Sequence, residues 1–179
     1  MLMRNKLIAA VRNYDELISA ADSDVKIVFD LNPNILTLDD TVNILHEAGK
    51  KCFIHLDLAE GIGKDRSGLS YLKMLGADGI ISTKTGLLRQ AKELSMMTVK
   101  RIFLLDSQGV ESAINEIDRN STDLIEIMPG IMPKMVDRFS RLGVPVIAGG
   151  LIETKAEITA ALSSGAVAVS TGKEELWYV

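Results

Sequence analysis

Pro145-Val146-Ile147-Ala148-Gly149-Gly150 and Ala166-Val167-Ala168-Val169-Ser170-Thr171-Gly172 decide the fold of this chain. Each is a short, branched apolar run that ends in residues small enough for a ligand to touch backbone. The residues between them suffice for one helix, so the pair reads strand, helix, strand. In a (β/α)8 barrel the loops after strands 7 and 8, with the N-terminus of a short final helix, form the usual phosphate site. Unpaired N–H groups and the positive end of a helix dipole favour an anion there. Glycine lets the backbone approach closely, and the hydroxyls of Ser170 and Thr171 add donors. Phosphate contacts are therefore expected at Gly149, Gly150, Ser170, Thr171 and Gly172, although Ser-Thr-Gly by itself also suits a plain helix cap.

Working outward, the same alternation recurs along the chain. Strand candidates are Leu7–Val11, Val25–Leu31, Lys51–Asp57, Gly79–Ser82, Thr98–Leu105, Leu124–Met128, Val144–Ala148 and Ala166–Ser170. Between them lie apolar residues at helical spacing, such as Leu38/Val42/Leu45, Leu87/Ala91/Leu94 and Met135/Phe139/Leu142. Thr37 and Ser107 are placed to start helices, and Gly49, Gly76, Gly143 and Gly165 to end them. A five-stranded doubly wound sheet would not need so many strands, so the expected fold is one compact (β/α)8 TIM-type barrel spanning residues 1–179. With 179 residues it falls below the usual size of about 250. Its loops must therefore be short. The longest irregular stretch, Ala59 to Ser67, follows strand 3 on the functional face and is a candidate ligand loop.

Composition narrows the function classes. A net charge of −4 argues against a broad non-specific nucleic-acid surface, which needs clustered Lys and Arg. The single cysteine, Cys52, excludes an internal disulfide and sits in an apolar run that suits a buried thiol. Met1 to Val11 is too short and too charged for a signal peptide or a membrane span. A soluble, cytoplasmic protein without membrane contact is expected. The two histidines, His46 and His55, stand too far apart for a metal motif, and neither a Walker loop nor a nucleophile elbow is present.

In a barrel, polar residues at the C-terminal strand ends face the ligand. Here they include Arg12, His55, Asp57, Lys84, Asp106 and Glu126. His55 and Asp57 share a strand face by the period of two, as an acid/base pair or as partners that orient each other. Lys84 suits a Schiff base if desolvated, or else a fixed cation facing phosphate or carboxylate. Arg101 either pairs with a buried acid or snorkels outward. Asp106 and Ser107 suit a helix cap. A phosphosugar isomerase or aldolase using Lys84 with Asp57 or Glu126 is the enzymatic alternative to a binding protein.

His55-Leu56-Asp57-Leu58-Ala59-Glu60-Gly61, Gly79-Ile80-Ile81-Ser82-Thr83-Lys84 and Arg101-Ile102-Phe103-Leu104-Leu105-Asp106-Ser107 resemble the glycerol-uptake operon antiterminator family. Ala10-Val11-Arg12-Asn13, Ile125-Glu126-Ile127-Met128-Pro129-Gly130, Ala148-Gly149-Gly150-Leu151-Ile152 and Leu176-Trp177 extend the resemblance almost end to end. It implies a small barrel that responds to glycerol 3-phosphate and acts on leader mRNA of glycerol-utilisation genes as a regulator, not an enzyme, with no cofactor. With that ligand, Arg12, Asp57, Lys84 and Glu126 at the strand ends are expected to shape the glycerol end or tune the charge around it. Two departures stand out: Lys84 replaces the family's arginine and so lacks a bidentate fork, and Gly172 is an added glycine. For RNA, Lys134, Arg138 and Arg141 share one helix face, with Lys64/Arg66 and Arg89/Lys92 as smaller clusters. Such faces are also ordinary solvated surface, and no aromatic is interleaved for base stacking. A homo-oligomer, such as a dimer, would join two patches into one footprint.

Overall fold

The computed structural model describes residues 6–178, so the first five residues of the charged N-terminal segment, and Val179, lie outside it. Eight parallel strands close into a barrel in sequence order, and β8 pairs back onto β1. The strands are β1 (Leu7–Val11), β2 (Ile27–Asp30), β3 (Lys51–His55), β4 (Gly79–Ser82), β5 (Met97–Phe103), β6 (Leu124–Met128), β7 (Val146–Gly149) and β8 (Ala168–Thr171). The helices are α1 (Tyr14–Asp22), α2 (Leu38–Glu47), α3 (Arg66–Met74), α4 (Thr85–Glu93), α5 (Ser107–Asn115), α6 (Pro133–Ser140) and α7 (Lys155–Ser163). All eight expected strands form.

Two local expectations are corrected. Strand β3 stops at His55, and Leu56–Leu58 makes a single 3-10 turn, so Asp57 leaves the strand face it was expected to share with His55. Among the described residues no α-helix follows β8; a 3-10 turn, Glu174–Leu176, stands there instead, too short to offer a helix dipole. As expected of the Asp106-Ser107 pair, helix α5 starts at Ser107 and is capped by Asp106, which accepts from the Gly109 N–H at 2.7 Å. A carboxylate is the stronger acceptor at this position. The glycine stops form as expected, with Gly76 and Gly165 in the left-handed region at φ 91° and 103°.

Period-two alternation divides the apolar residues into two cores. One lies between the sheet and the helices and contains Cys52, Leu69, Leu88, Phe139 and Trp177. The other fills the barrel axis, where Phe29 and Phe53 meet as tilted rings with centroids 5.6 Å apart. Burying each ring contributes about 2–3 kcal/mol. Gly79 makes this possible, because a Cβ there would sit 2.5 Å from the Phe53 ring. The N-terminal half of the axis is thereby plugged. Polar side chains are confined to its C-terminal half.

Candidate functional site

On β5, Val99 and Arg101 point along the axis while Lys100 points outward. Arg101 is 5% exposed and lies opposite Glu126 of β6, itself 1% exposed. The Arg101 Nε–H donates to Glu126 Oε2 at 2.6 Å, and the Ser170 hydroxyl of β8 donates to Oε1 at 2.6 Å. Both oxygens of a buried carboxylate are thus satisfied, as its desolvation demands. Gly149 is necessary for that arrangement: a Cβ there would lie 2.5 Å from both Glu126 Oε1 and Ser170 Oγ.

His55 completes the layer. Its Nδ1 lies 3.4 Å from Arg101 Nη1. Facing a guanidinium, that nitrogen must present its lone pair, which puts the ring proton on Nε2. Nε2 is buried and has no hydrogen-bond partner among the described residues. Burial and then the Arg101 charge push the imidazole down to about 4, so it is neutral at pH 7. The network runs His55, Arg101, Glu126, Ser170.

Above it opens a cavity of about 370 Å³, within the range of small-ligand sites. Arg12, Arg101, Glu126, Gly150, Ser170, Thr171, Gly172 and Lys173 line it, with Ala10, Leu31, Met128 and Leu151 as apolar wall. The structure therefore brings together Arg12, Glu126, Gly150, Ser170, Thr171 and Gly172 from the expected set. Gly149 lies directly beneath. The Arg12 side chain is exposed and has no ion-pair partner among the described residues. Thr171 acts as a brace: its hydroxyl donates to the Ile152 carbonyl at 2.7 Å and accepts from the Lys173 N–H at 3.1 Å. Its own carbonyl accepts from the buried Trp177 indole at 2.9 Å.

Asp57 and Lys84 lie outside this cavity. Asp57 accepts from the Ser82 hydroxyl at 2.6 Å and from the Thr83 N–H and hydroxyl at 2.7 Å each. Burial opposes its charge, but these bonds outweigh it and hold the carboxyl below the usual range. Lys84 is exposed and begins the approach to α4. The cation committed at this corner is Lys100, which the sequence reading did not single out. Its buried ammonium donates to the Thr83 carbonyl at 2.6 Å and to the Thr85 hydroxyl at 3.0 Å, and burial lowers its pKa. Arg101 and Lys173 were missing from the expected cavity residues. The signal for Arg101 was its phase with Val99; for Lys173 it was adjacency to Gly172.

Most basic candidates for RNA are committed to neighbours. Arg138 pairs with Glu111 at 2.5 Å, and Arg141 bonds Asp137 through two nitrogens. Arg66 pairs with Glu93, Arg89 with Asp118, Lys92 with Asp123, and Lys64 donates to the Ala59 carbonyl. Lys134 alone of these is exposed without such a partner among the described residues. The Ala59–Ser67 loop is shorter than expected, since Asp65 caps α3 by accepting from the Gly68 N–H. Among the described residues no group of three or more His, Cys, Asp or Glu is placed to hold a metal ion, and no helix is long and apolar enough to cross a membrane.

Comparison with known proteins agrees with this geometry. A crystal structure of the glycerol uptake operon antiterminator regulatory protein from Listeria monocytogenes str. 4b F2365 superimposes with a TM-score of 0.92 at 32% identity, covering 97% of this chain and 95% of that one. A glycerol uptake operon antiterminator-related protein from Thermotoga maritima MSB8 gives a TM-score of 0.85 at 34% identity, with 96% of each chain covered. YgcP of Escherichia coli (strain K12), an uncharacterized protein, is 35% identical over 179 residues, 99% of this chain and 94% of YgcP. The family model for the glycerol-3-phosphate responsive antiterminator matches residues 7–177, and the chain belongs to that family.

Proposed function

We propose that this protein is a cytoplasmic sensor of glycerol 3-phosphate that, when liganded, prevents transcription termination in the leader mRNA of glycerol-utilisation genes. The observation that carries the reading is the conjunction of an end-to-end family match with a cavity at the ends of β1, β6, β7 and β8, floored by Arg101 of β5. Arg12, Gly150 and Gly172, together with Lys173, surround the space proposed for the phosphate. Glu126 and Arg101 form its floor, where the glycerol hydroxyls would meet charged partners. Each hydrogen bond to a charged group contributes roughly 1.5–3 kcal/mol.

The enzymatic alternative is less well supported. Lys84 and Asp57 lie outside the cavity, and both oxygens of Glu126 are occupied by Arg101 and Ser170. None of the three is free there to act as a base or a Schiff-base nucleophile.

The test is a thermal-shift titration with glycerol 3-phosphate, run against glycerol and inorganic phosphate separately. Ligand at about a hundred times its Kd stabilises the native state by roughly 2.7 kcal/mol. Glycerol 3-phosphate is expected to raise Tm well beyond both controls, and Gly172→Asp to abolish that rise. A Cβ at residue 172 meets the flexible tip of Arg12 at 3.0 Å and the Ala10 carbonyl oxygen at an ordinary 3.5 Å, so this variant is expected to fold and to set a carboxylate against the phosphate. No shift with the wild type, or an undiminished shift with the variant, would overturn the site. Run-off transcription through the leader then tests antitermination, and turnover of glycerol 3-phosphate would restore the enzyme.

A further inference from the structure

Among the described residues, every exposed large hydrophobic except Met74 and Tyr178 lies in a strand-to-helix connection or at its borders. All of these connections are on the C-terminal face of the barrel. Soluble proteins expose single apolar residues freely, but a contiguous group around a ligand mouth marks a contact surface. The face divides into two sectors that differ in which charged groups are left without partners.

Over β4–β7 the apolar residues are Phe103 (51% exposed), Leu105 (87%), Ile131, Met132 and Leu151 (66%). With them stand the lysines Lys84, Lys134 and Lys155, whose ammonium groups make no bond among the described residues. The acids of this sector are largely spent: Asp106 and Glu157 cap helices, and Glu111 holds Arg138. Glu153 remains, at the cavity lip. Helix α6 begins here without a side-chain cap. Over β1–β3 the exposed apolar residues are accompanied by Asp15, Asp39, Asp40 and Glu60, and of the cations there Lys64 and Arg66 are bonded to neighbours while Arg12 faces the cavity.

We infer that the β4–β7 sector is the RNA-binding surface, with unpaired bases stacking on Phe103 and its aliphatic neighbours while Lys84, Lys134 and Lys155 take the phosphates. The inference rests on the proposed antiterminator function and assigns its second contact. The chemistry selects RNA over another protein surface because the exposed apolar groups stand among three ammonium groups without a side-chain partner, while of the nearby acids only Glu153 has its carboxylate unbonded among the described residues. Single-stranded nucleic acid is bound by that combination of stacking surface and positive groove. The helix face Arg138/Arg141 lacks it, since its charges are neutralised internally. Leu151 belongs to both the cavity wall and the apolar sector, so ligand occupancy and RNA contact meet at one residue. Its backbone is left-handed at φ 60°, a conformation that branched side chains rarely adopt.

The experiment measures binding of a fluorescein-labelled leader transcript of a glycerol-utilisation gene, in saturating glycerol 3-phosphate, with an unrelated transcript of equal length beside it. Phe103→Ser and the double variant L105S/M132S are expected to weaken leader binding at least tenfold. Lys134→Glu should lower the steepness of the salt dependence by about one, and R138E/R141E should leave affinity within twofold. The Tm rise with glycerol 3-phosphate serves as the folding and ligand control for each variant. Wild-type binding with unchanged affinity in Phe103→Ser and L105S/M132S would overturn the surface and leave the antiterminator reading standing. A wild type that binds no leader RNA would overturn both. Sedimentation supplies the remaining outcome: if those variants dissociate a dimer while RNA affinity holds, the sector is a contact between copies of this chain, and the inference fails.

Discussion

The two sides of the barrel mouth are built from similar polar residues and end differently. At β3–β4, Asp57 faces Ser82 and Thr83, every acceptor finds a donor within 2.7 Å, and Lys100 ties the Thr83 carbonyl from behind. The result is a closed corner. At β1–β5–β6–β8, Glu126 is equally satisfied, but Arg101 gives it only part of a guanidinium and Arg12 gives it nothing. Charge is left over, and it faces an open cavity. A carboxylate at a strand end therefore does not mark a ligand site; unspent donors around it do.

The largest break in this comparison comes from removing each carboxylate. Glu126→Ala leaves Arg101 buried and unpaired and should cost about 3–5 kcal/mol in urea unfolding, with loss of the glycerol 3-phosphate shift. Asp57→Ala orphans the buried Ser82 hydroxyl and the Thr83 N–H and should cost about 3 kcal/mol, while the folded protein keeps its ligand affinity. Equal ligand losses in both variants would erase the distinction between the two sides.

The next effect is in pH. His55, pushed down to about 4, is protonated more readily when unfolded, so stability falls as pH drops from 6.5 toward 4. Asp30, raised by burial to about 6, behaves oppositely: its contribution is present below pH 3.8 and is lost as pH rises through 6. Each is worth about 3 kcal/mol over its window, so the two nearly cancel between pH 4 and 6. Relative to wild type, Asp30→Asn should steepen the acid loss, and His55→Gln should make the protein comparatively more stable in acid. Parallel stability profiles for all three proteins would refute the opposed pair.

The smallest effects separate the cations. Arg12→Ala should weaken glycerol 3-phosphate at least tenfold while changing stability by under about 0.5 kcal/mol, because the side chain is exposed. Lys84→Ala should change Kd less than threefold, since it stands outside the cavity. Isothermal titration of the two variants side by side decides whether the ligand reads the open side alone.

Much of this was legible in residue order. Strands β1, β4 and β6 run as predicted because their apolar runs are bounded by helix stops and polar turns. Asp57 was misplaced by period-two counting, which holds only while the backbone stays extended; a 3-10 turn at Leu56 redirects it. Arg101 was left between two readings, since a charged residue on an apolar strand has no local partner to name. Glu126 lies 25 residues away and meets it through the β5–β6 register.

Sequence alone determined the eight-stranded closure, the helix stops and the small residues at the ends of strands 7 and 8, because these follow from spacing and local backbone preference. Tertiary structure decided which charges are free. Whether Arg12, Lys84 or Arg138 keeps its charge for a ligand depends on acids distant in the chain, and those pairings exist only once the barrel has closed.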